Sequence, residues 1–376
     1  MWALRFLMPL RALIIPDKFK GTLTAQAAAE AIARGWGKTR PADILHLLPM
    51  SDGGDGFGEV ISSLLQAKRQ TVRTMDAAHR PCRSIWWWEP SSGTAVIESA
   101  QVVGLAMLPA GRFHPFDLDS AGLADVLRAA ARKGARRCLI GLGGSATCDA
   151  GFGVARALGW EFLNANGRPI ERWTSLDRLK RIQAAPHVRW FKETVVAVDV
   201  QNTLLGRSGT TRIYGPQKGL RPQDFALTER CLGRLARVVR QQFGFDLAKQ
   251  PGTGSAGGLG FGLQAFLGAR LEPGFDLFAR FAALEKRLRG ADLVITGEGA
   301  IDHSSFMGKG AGQIARRCRQ LRIPSIGLSG VLSCPDQARR HFTQVGALTD
   351  LTTVRKAMTR PAYWLGRLAK HVALGV

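Results

Sequence analysis

The chain has 376 residues, of which 45% are hydrophobic and 22% charged, and its net charge is +23. That length is ample for two α/β domains, and no uncharged apolar run reaches the roughly 20 residues that span a bilayer, so nothing reads as a membrane segment. The arginines are spread along the chain without aromatic interleaving. They read as solvated helix faces: this argues against a nucleic-acid partner while favouring anionic substrates such as nucleotides and carboxylates.

In chain order, the first dozen residues, MWALRFLMPLRA, are basic and apolar, but Pro9 and Arg11 interrupt them and no small-residue cleavage site follows. Leu10–Ile15 is predicted as the first strand, and the residues before it are read as an effect of start-codon choice, with Met8 the natural start. A unit then recurs: an apolar run, a Gly/Asp-rich loop, and a helical pattern. Leu10–Ile15 leads into PDKFKGTLT and a helix over Ala25–Trp36, and Ile44–Met50 leads into SDGGDG and a helix over Phe57–Lys68. Phe57, Val60, Ile61, Leu64 and Leu65 mark one face of the latter. Thr71–Glu98 is strand-rich, and Trp86, Trp87 and Trp88 in it read as core packing.

The unit returns as Cys138–Leu142, GGSATCDAG and Phe152–Leu158. A strand is expected at Thr194–Val200 and a helix over Gln223–Phe243. Near the C-terminus the unit appears again as Leu293–Thr296, GEGAID and a helix over Gly312–Leu321, followed by strands at Pro324–Ser329 and Gln344–Thr349. Strands alternating with helices imply a mostly parallel sheet, and the strand-rich middle implies a second sheet. Six cysteines, none in C-x-x-C spacing, fit free thiols in a reducing cytoplasm and argue against a zinc knuckle.

In open α/β sheets, ligands bind where loops leave the carboxyl ends of strands. Glycine lets backbone N–H groups approach an anion, lysine neutralises phosphate oxygens, and carboxylates hold Mg²⁺. That chemistry suits phosphoryl transfer. Three generic motifs compete with this reading. GWGKT (Gly35–Thr39) resembles the end of a Walker A loop but closes a helix, and Ile32 stands where the first glycine is needed. GTGSAG (Gly252–Gly257) follows no convincing strand. GLGGSA (Gly141–Ala146) does follow one and, with Glu161 about 20 residues on, leaves a dinucleotide loop open.

Taken together, the loops resemble the glycerate kinase family of the bacterial glycerate/glycolate type. The matching segments are IIPDKFKGTLTA, SDGGDG, AVIESA, GLGGSATCDAG, VDVQNTLLG, YGPQKG, PGTGSAGGLG, VITGEGAID and GK at Gly308–Lys309. The resemblance implies ATP-dependent phosphorylation of glycerate to 2- or 3-phosphoglycerate, with Mg²⁺. It also implies two α/β domains with the active cleft between them. One is flavodoxin-like and discontinuous (1–70 and 286–376); the other is a mixed-sheet domain (71–285) inserted into it.

With that family as frame, Asp199, Lys20, Asp17 and Asp302 are the candidate catalytic residues, with Asp199 as general base or metal ligand and Lys20 pairing with phosphate or the glycerate carboxylate. Gly143, Gly144 and Ser145 form an anion-binding turn. Glu298, Lys309, Gln217 and Lys218 are further nucleotide or substrate contacts, and Asp52 and Asp55 are candidate Mg²⁺ ligands. Departures from the family pattern fall at Ala300, Ser304 and Ala311, where R-I-D-x-Q and G-K-x-P are usual, and at Asp119–Ala124 and Cys148. A missing arginine near a phosphoryl site is not replaced by alanine. The departures therefore keep open a diverged hydroxy-acid kinase, or a catalytically weak relative that binds nucleotide or acid.

Overall fold

The structure is a computed structural model describing residues 8–185, 190–308 and 310–376. The segment before Met8 and the candidate Lys309 lie outside the described residues. The strands are β1 (Arg11–Pro16), β2 (Ile44–Leu47), β3 (Lys68–Met75), β4 (Pro81–Glu89), β5 (Thr94–Glu98), β6 (Arg137–Leu142), β7 (Glu161–Leu163), β8 (Arg181–Gln183), β9 (Glu193–Val198), β10 (Arg270–Pro273), β11 (Leu293–Ile301), β12 (Ser325–Leu332) and β13 (Gln344–Ala347). The chain divides into two compact units, Met1–Asp52 with Phe275–Val376, and Gly53–Gly274.

The first unit is a parallel sheet in the order β13-β12-β11-β1-β2. Counted within the unit, that is the 2-1-3-4-5 order of flavodoxin-like folds, whose ligands sit at the switch point beside the first strand. Its central strands are apolar on both faces, with Ala12, Ile14, Ile15, Val294 and Ile295 fully buried, because helices cover both sides of a parallel sheet. One of these helices, Ala25–Trp36, is capped by Thr24, whose hydroxyl accepts from the Ala27 amide at 3.1 Å. It packs on Pro361–Ala373 so closely that a methyl added at Gly35 would stand 2.0 Å from the Gly366 carbonyl oxygen. GWGKT is thus a helix end whose glycine permits a helix crossing.

The second unit holds a six-stranded sheet in the order β10-β9-β6-β5-β4-β3 and a β7–β8 hairpin. β10, β9, β6 and β5 run parallel, while β4 and β3 are antiparallel, so the sheet is mixed. Trp86 and Trp87 are buried and Trp88 is half-buried. The Trp87 ring lies where a methyl on Gly58 would be, locking the helix Phe57–Leu65 onto the sheet. That helix ends earlier than the expected Lys68, because Gln66 turns left-handed (φ 53°) and β3 begins at Lys68.

The units part at 52/53 and 274/275, where the sequence reading placed 70/71 and 285/286. Phe57–Leu65 goes with the second unit because it packs on β4 and β5. No helix among the described residues is long and apolar enough to cross a membrane.

Candidate functional site

In the first unit, Asp17 follows β1 directly and is buried; its amide donates to the Gly297 carbonyl at 2.8 Å. Its carboxylate accepts from the Lys18 amide at 2.7 Å. Burial pushes the Asp17 carboxyl well above the usual range, and the charges of Asp52 and Glu298 add to that. Lys18 and its amide pull the other way. Asp17, Asp52 and Glu298 therefore share one electrostatic neighbourhood at the carboxyl ends of β1, β2 and β11. A methyl added at Gly310, which opens the helix Gly310–Leu321, would lie 3.5 Å from an Asp17 oxygen, so that helix start faces the same carboxylate. Lys20 is exposed, and its amide nitrogen would lie 3.2 Å from a methyl on Gly299.

Asp302 caps the short helix His303–Met307, accepting from the Ser304 amide at 2.8 Å, the Ser304 hydroxyl at 2.5 Å and the Ser305 amide at 3.2 Å. Ser304 thus has a local structural role at a position where the family has glutamine. Ala300 is exposed on β11 opposite Val331, and Ala311 is buried in the first turn of the following helix.

In the second unit the Gly143–Ser145 turn and Asp199 are brought together by register. Leu142 pairs with Val198, so Gly143 and Asp199 leave neighbouring parallel strands side by side at their carboxyl ends. Asp199 is exposed there. Gly144, at φ 57°, is exposed, and a methyl on it would sit 2.5 Å from an Asp55 carboxylate oxygen; one on Gly143 would sit 2.9 Å from the Asp55 amide nitrogen. Only glycines allow the loop carrying Asp55 to lie against this turn.

Tyr214 donates to the Asn202 side chain at 2.5 Å, and burial together with the Asp199 charge pushes its phenol up to about 12. Gln217 is exposed. Lys218 is not: it is 6% exposed and donates to the Ser145 hydroxyl and to the Thr147 carbonyl, both at 2.8 Å. Burial holds its ammonium below the usual lysine value.

Two buried carboxylates that the sequence reading missed hold these loops. Glu98, which ends β5, accepts from the Gly56 amide at 2.8 Å and the Gly58 amide at 3.1 Å, satisfying the start of the helix Phe57–Leu65. Asp149 is fully buried and accepts from the Ser120 amide (2.9 Å), the Ser120 hydroxyl (2.7 Å), the Gly153 amide (2.9 Å) and the Gly151 amide (3.3 Å). Burial raises both carboxyls above their ordinary range. An acid just before an apolar helical run is an N-cap signal, and it was available at Asp149.

The segment PGTGSAGGLG is also structural. Ala256, Gly257 and Gly258 turn left-handed, and the Gly257 carbonyl accepts from the Ala150 amide at 3.1 Å. Gly262 packs against Ala150 and Gly151. GTGSAG therefore braces the GGSATCDAG loop from behind.

The glycerate kinase family model matches residues 12–375. A glycerate kinase of Bacillus subtilis is 34% identical over 378 residues, covering 98% of each chain. The glycerate kinase of Halalkalibacterium halodurans is 35% identical over 323 residues, 85% of each chain. Glycerate 2-kinase of Escherichia coli is 34% identical over 327 residues, 86% of each. A crystal structure described as glycerate kinase 2 from Salmonella typhimurium LT2 superposes with a TM-score of 0.82 at 29% identity, covering 98% of both chains. With strand-end loops of this chemistry and a match running from residue 12 to residue 375, this chain belongs to the glycerate kinase family.

Proposed function

We propose that this protein transfers the γ-phosphoryl group of ATP, with Mg²⁺, to a hydroxyl of glycerate, yielding a phosphoglycerate. One observation carries the reading: Asp199 emerges from β9 directly beside the Gly143–Ser145 turn, which is itself packed on Asp55. A carboxylate beside an amide-rich turn supplies both a proton acceptor and an anion cradle, and phosphoryl transfer needs little else from a protein besides cationic charge.

In this reading Asp199 takes the proton of the attacking hydroxyl, and the Gly143–Ser145 turn binds anionic oxygens. Lys20 and Lys309 provide positive charge, and Gln217 orients the acid. Asp17 faces the start of the helix Gly310–Leu321, Glu298 adds its charge beside Asp17, and Asp302 fixes the turn before that helix.

Asp52 and Asp55, on one glycine-rich turn, would hold Mg²⁺. They are hard oxygen donors, and the negative charge gathered around Asp17 favours a divalent cation. Among the described residues no group of three His, Cys, Asp or Glu side chains is placed to hold a metal unaided. That fits an ion that completes its shell with nucleotide phosphate and water. Bound there, Mg²⁺ would neutralise charge on the phosphates. The two-domain division belongs to the same proposal, and so does a cytoplasmic location, which six free cysteines favour.

Ala300 favours a second reading, a kinase for a related hydroxy acid, because no guanidinium is available at that exposed β11 position. Coupled ADP release from MgATP with D-glycerate and a panel of small hydroxy acids separates the two. Asp199→Asn should lower turnover by about 10²–10⁴-fold without changing the melting temperature. Near-normal turnover in that variant would remove Asp199 from the chemistry.

A further inference from the structure

Lys218 ends the helix Thr210–Lys218, and its side chain runs into the interior of the second unit instead of toward solvent. Its ammonium has three donors and no acceptor, so in the contact with Ser145 the serine oxygen must accept. The serine's own proton is then left to donate elsewhere. A second donor is fixed on the Thr147 carbonyl, two residues further along the same loop.

Behind the ammonium the chain closes tightly. A methyl on Gly257 would stand 2.9 Å from the lysine nitrogen and 1.7 Å from the Thr147 oxygen, so a left-handed glycine (φ 73°) is the residue that permits this backbone to pass. Asp149 is near enough to favour the charged lysine electrostatically. Yet among the described residues Lys218 forms no ion pair with a carboxylate. A buried cation with no carboxylate in contact is costly. From Ser145 the loop runs directly to Gly144, which is exposed.

We propose that Lys218 is a positioning residue, a buried cation whose counter-charge is an anionic group of the bound ligand, a phosphoryl or carboxylate, seated on the Gly143–Ser145 turn. Lys218 does not touch that group. It fixes Ser145 as a donor and lends its charge through the turn. This rests on the reading of that turn as the anion site, and it changes Lys218 from the direct substrate contact expected from sequence into a support beneath the site.

The test compares Lys218→Met, Lys218→Gln and Ser145→Ala with the wild-type chain. Hydrogen exchange over residues 143–148 is followed with and without tripolyphosphate or D-glycerate, and steady-state kinetics and melting curves are recorded in parallel. The wild-type segment should be protected by one of the two anions. Lys218→Met should weaken that anion by about 10–100-fold, the scale of the hydrogen bond to a charged group that Ser145 no longer holds in place, in KM more than in kcat. Lys218→Gln, which can still donate to Ser145 but carries no charge, should fall between.

In the Ser145→Ala background, Lys218→Met should add much less than its effect in the wild type, because the two act as one unit. Should Lys218→Met fail to fold, Ser145→Ala decides: it must weaken the anion in a variant that is still folded at the assay temperature, its melting temperature lowered only by the lost Lys218 contact. Equal anion protection in the wild type and Lys218→Met, or multiplicative effects in the double variant, would overturn the proposal. A wild-type chain that binds the anion but phosphorylates nothing would sink the kinase reading and leave this one standing.

Discussion

Replacing Asp149 by alanine tests whether the GGSATCDAG loop is held from within. The carboxylate accepts from three well-placed donors, the Ser120 amide and hydroxyl and the Gly153 amide, and from a longer fourth, the Gly151 amide. Ser120 is also the acceptor for the Val154 amide at 3.0 Å, so its hydroxyl orientation depends on Asp149. Each buried donor left without an acceptor costs about 1–3 kcal/mol.

Relief from burying a carboxylate, the force that raises its pKa, offsets part of this. A net loss of about 3–5 kcal/mol follows, the scale found for breaking buried charged networks. At roughly 2–4 °C per kcal/mol for a domain of this size, Asp149→Ala should melt about 6–20 °C lower by circular dichroism. Asp149→Asn keeps the shape and one oxygen acceptor and should lose about half as much.

The sign of the pH dependence is also determined. A carboxyl whose folded pKa is raised contributes stability that is fully present below its unfolded value, and this is lost as pH rises through the folded one. Asp149→Asn should flatten the acid-side stability profile over that window. An alanine variant with wild-type melting would refute the claim that this carboxylate organises the loop.

Gly35→Ala places a methyl 2.0 Å from a backbone oxygen that cannot rotate away, so the two helices must separate. Its cost should exceed the roughly 1–3 kcal/mol of ordinary overpacking, read as a lower denaturant midpoint. The two tyrosines should titrate far apart when followed by ultraviolet absorbance. Tyr363, hydrogen-bonded to Arg367 and exposed, is lowered below the usual phenol value and ionises first; Tyr214 waits until about 12. Because the folded pKa of Tyr214 is raised above the ordinary value of about 10, its contribution to stability is lost as pH climbs from there toward 12. Tyr363→Phe should abolish the early wave only, and loss of the late wave in that variant would contradict the assignment.

The positions of the main parallel strands along the chain and the Gly/Asp-rich loops after them were legible because parallel strands buried on both faces read as apolar runs, and glycine and aspartate cluster where these runs end. Side-chain destinations were not. Lys218 reads as a direct ligand contact because lysine is seldom buried, and nothing local to YGPQKG announces that Gly257, 39 residues later, closes over it. Glu98 and Asp302 were visible as acids in the right segments. Whether each caps a helix or meets a ligand depends on neighbours distant in sequence (Gly56 and Gly58) in the first case, and on adjacent Ser304 and Ser305 in the second. β10 was missed because a four-residue edge strand ending in proline carries little pattern.

The first sheet joins chain ends that are made at very different times. The Thr296 hydroxyl donates to the Ile15 carbonyl across 281 residues of sequence. During synthesis, at about 5–20 residues per second, the whole of Gly53–Gly274 is made before β11 exists. Throughout that interval β1 and β2 are a two-stranded fragment with an apolar, unpaired edge, which is both unstable alone and open to wrong partners. A chain cut short before β11 would therefore keep that edge exposed, a natural client for a holding chaperone.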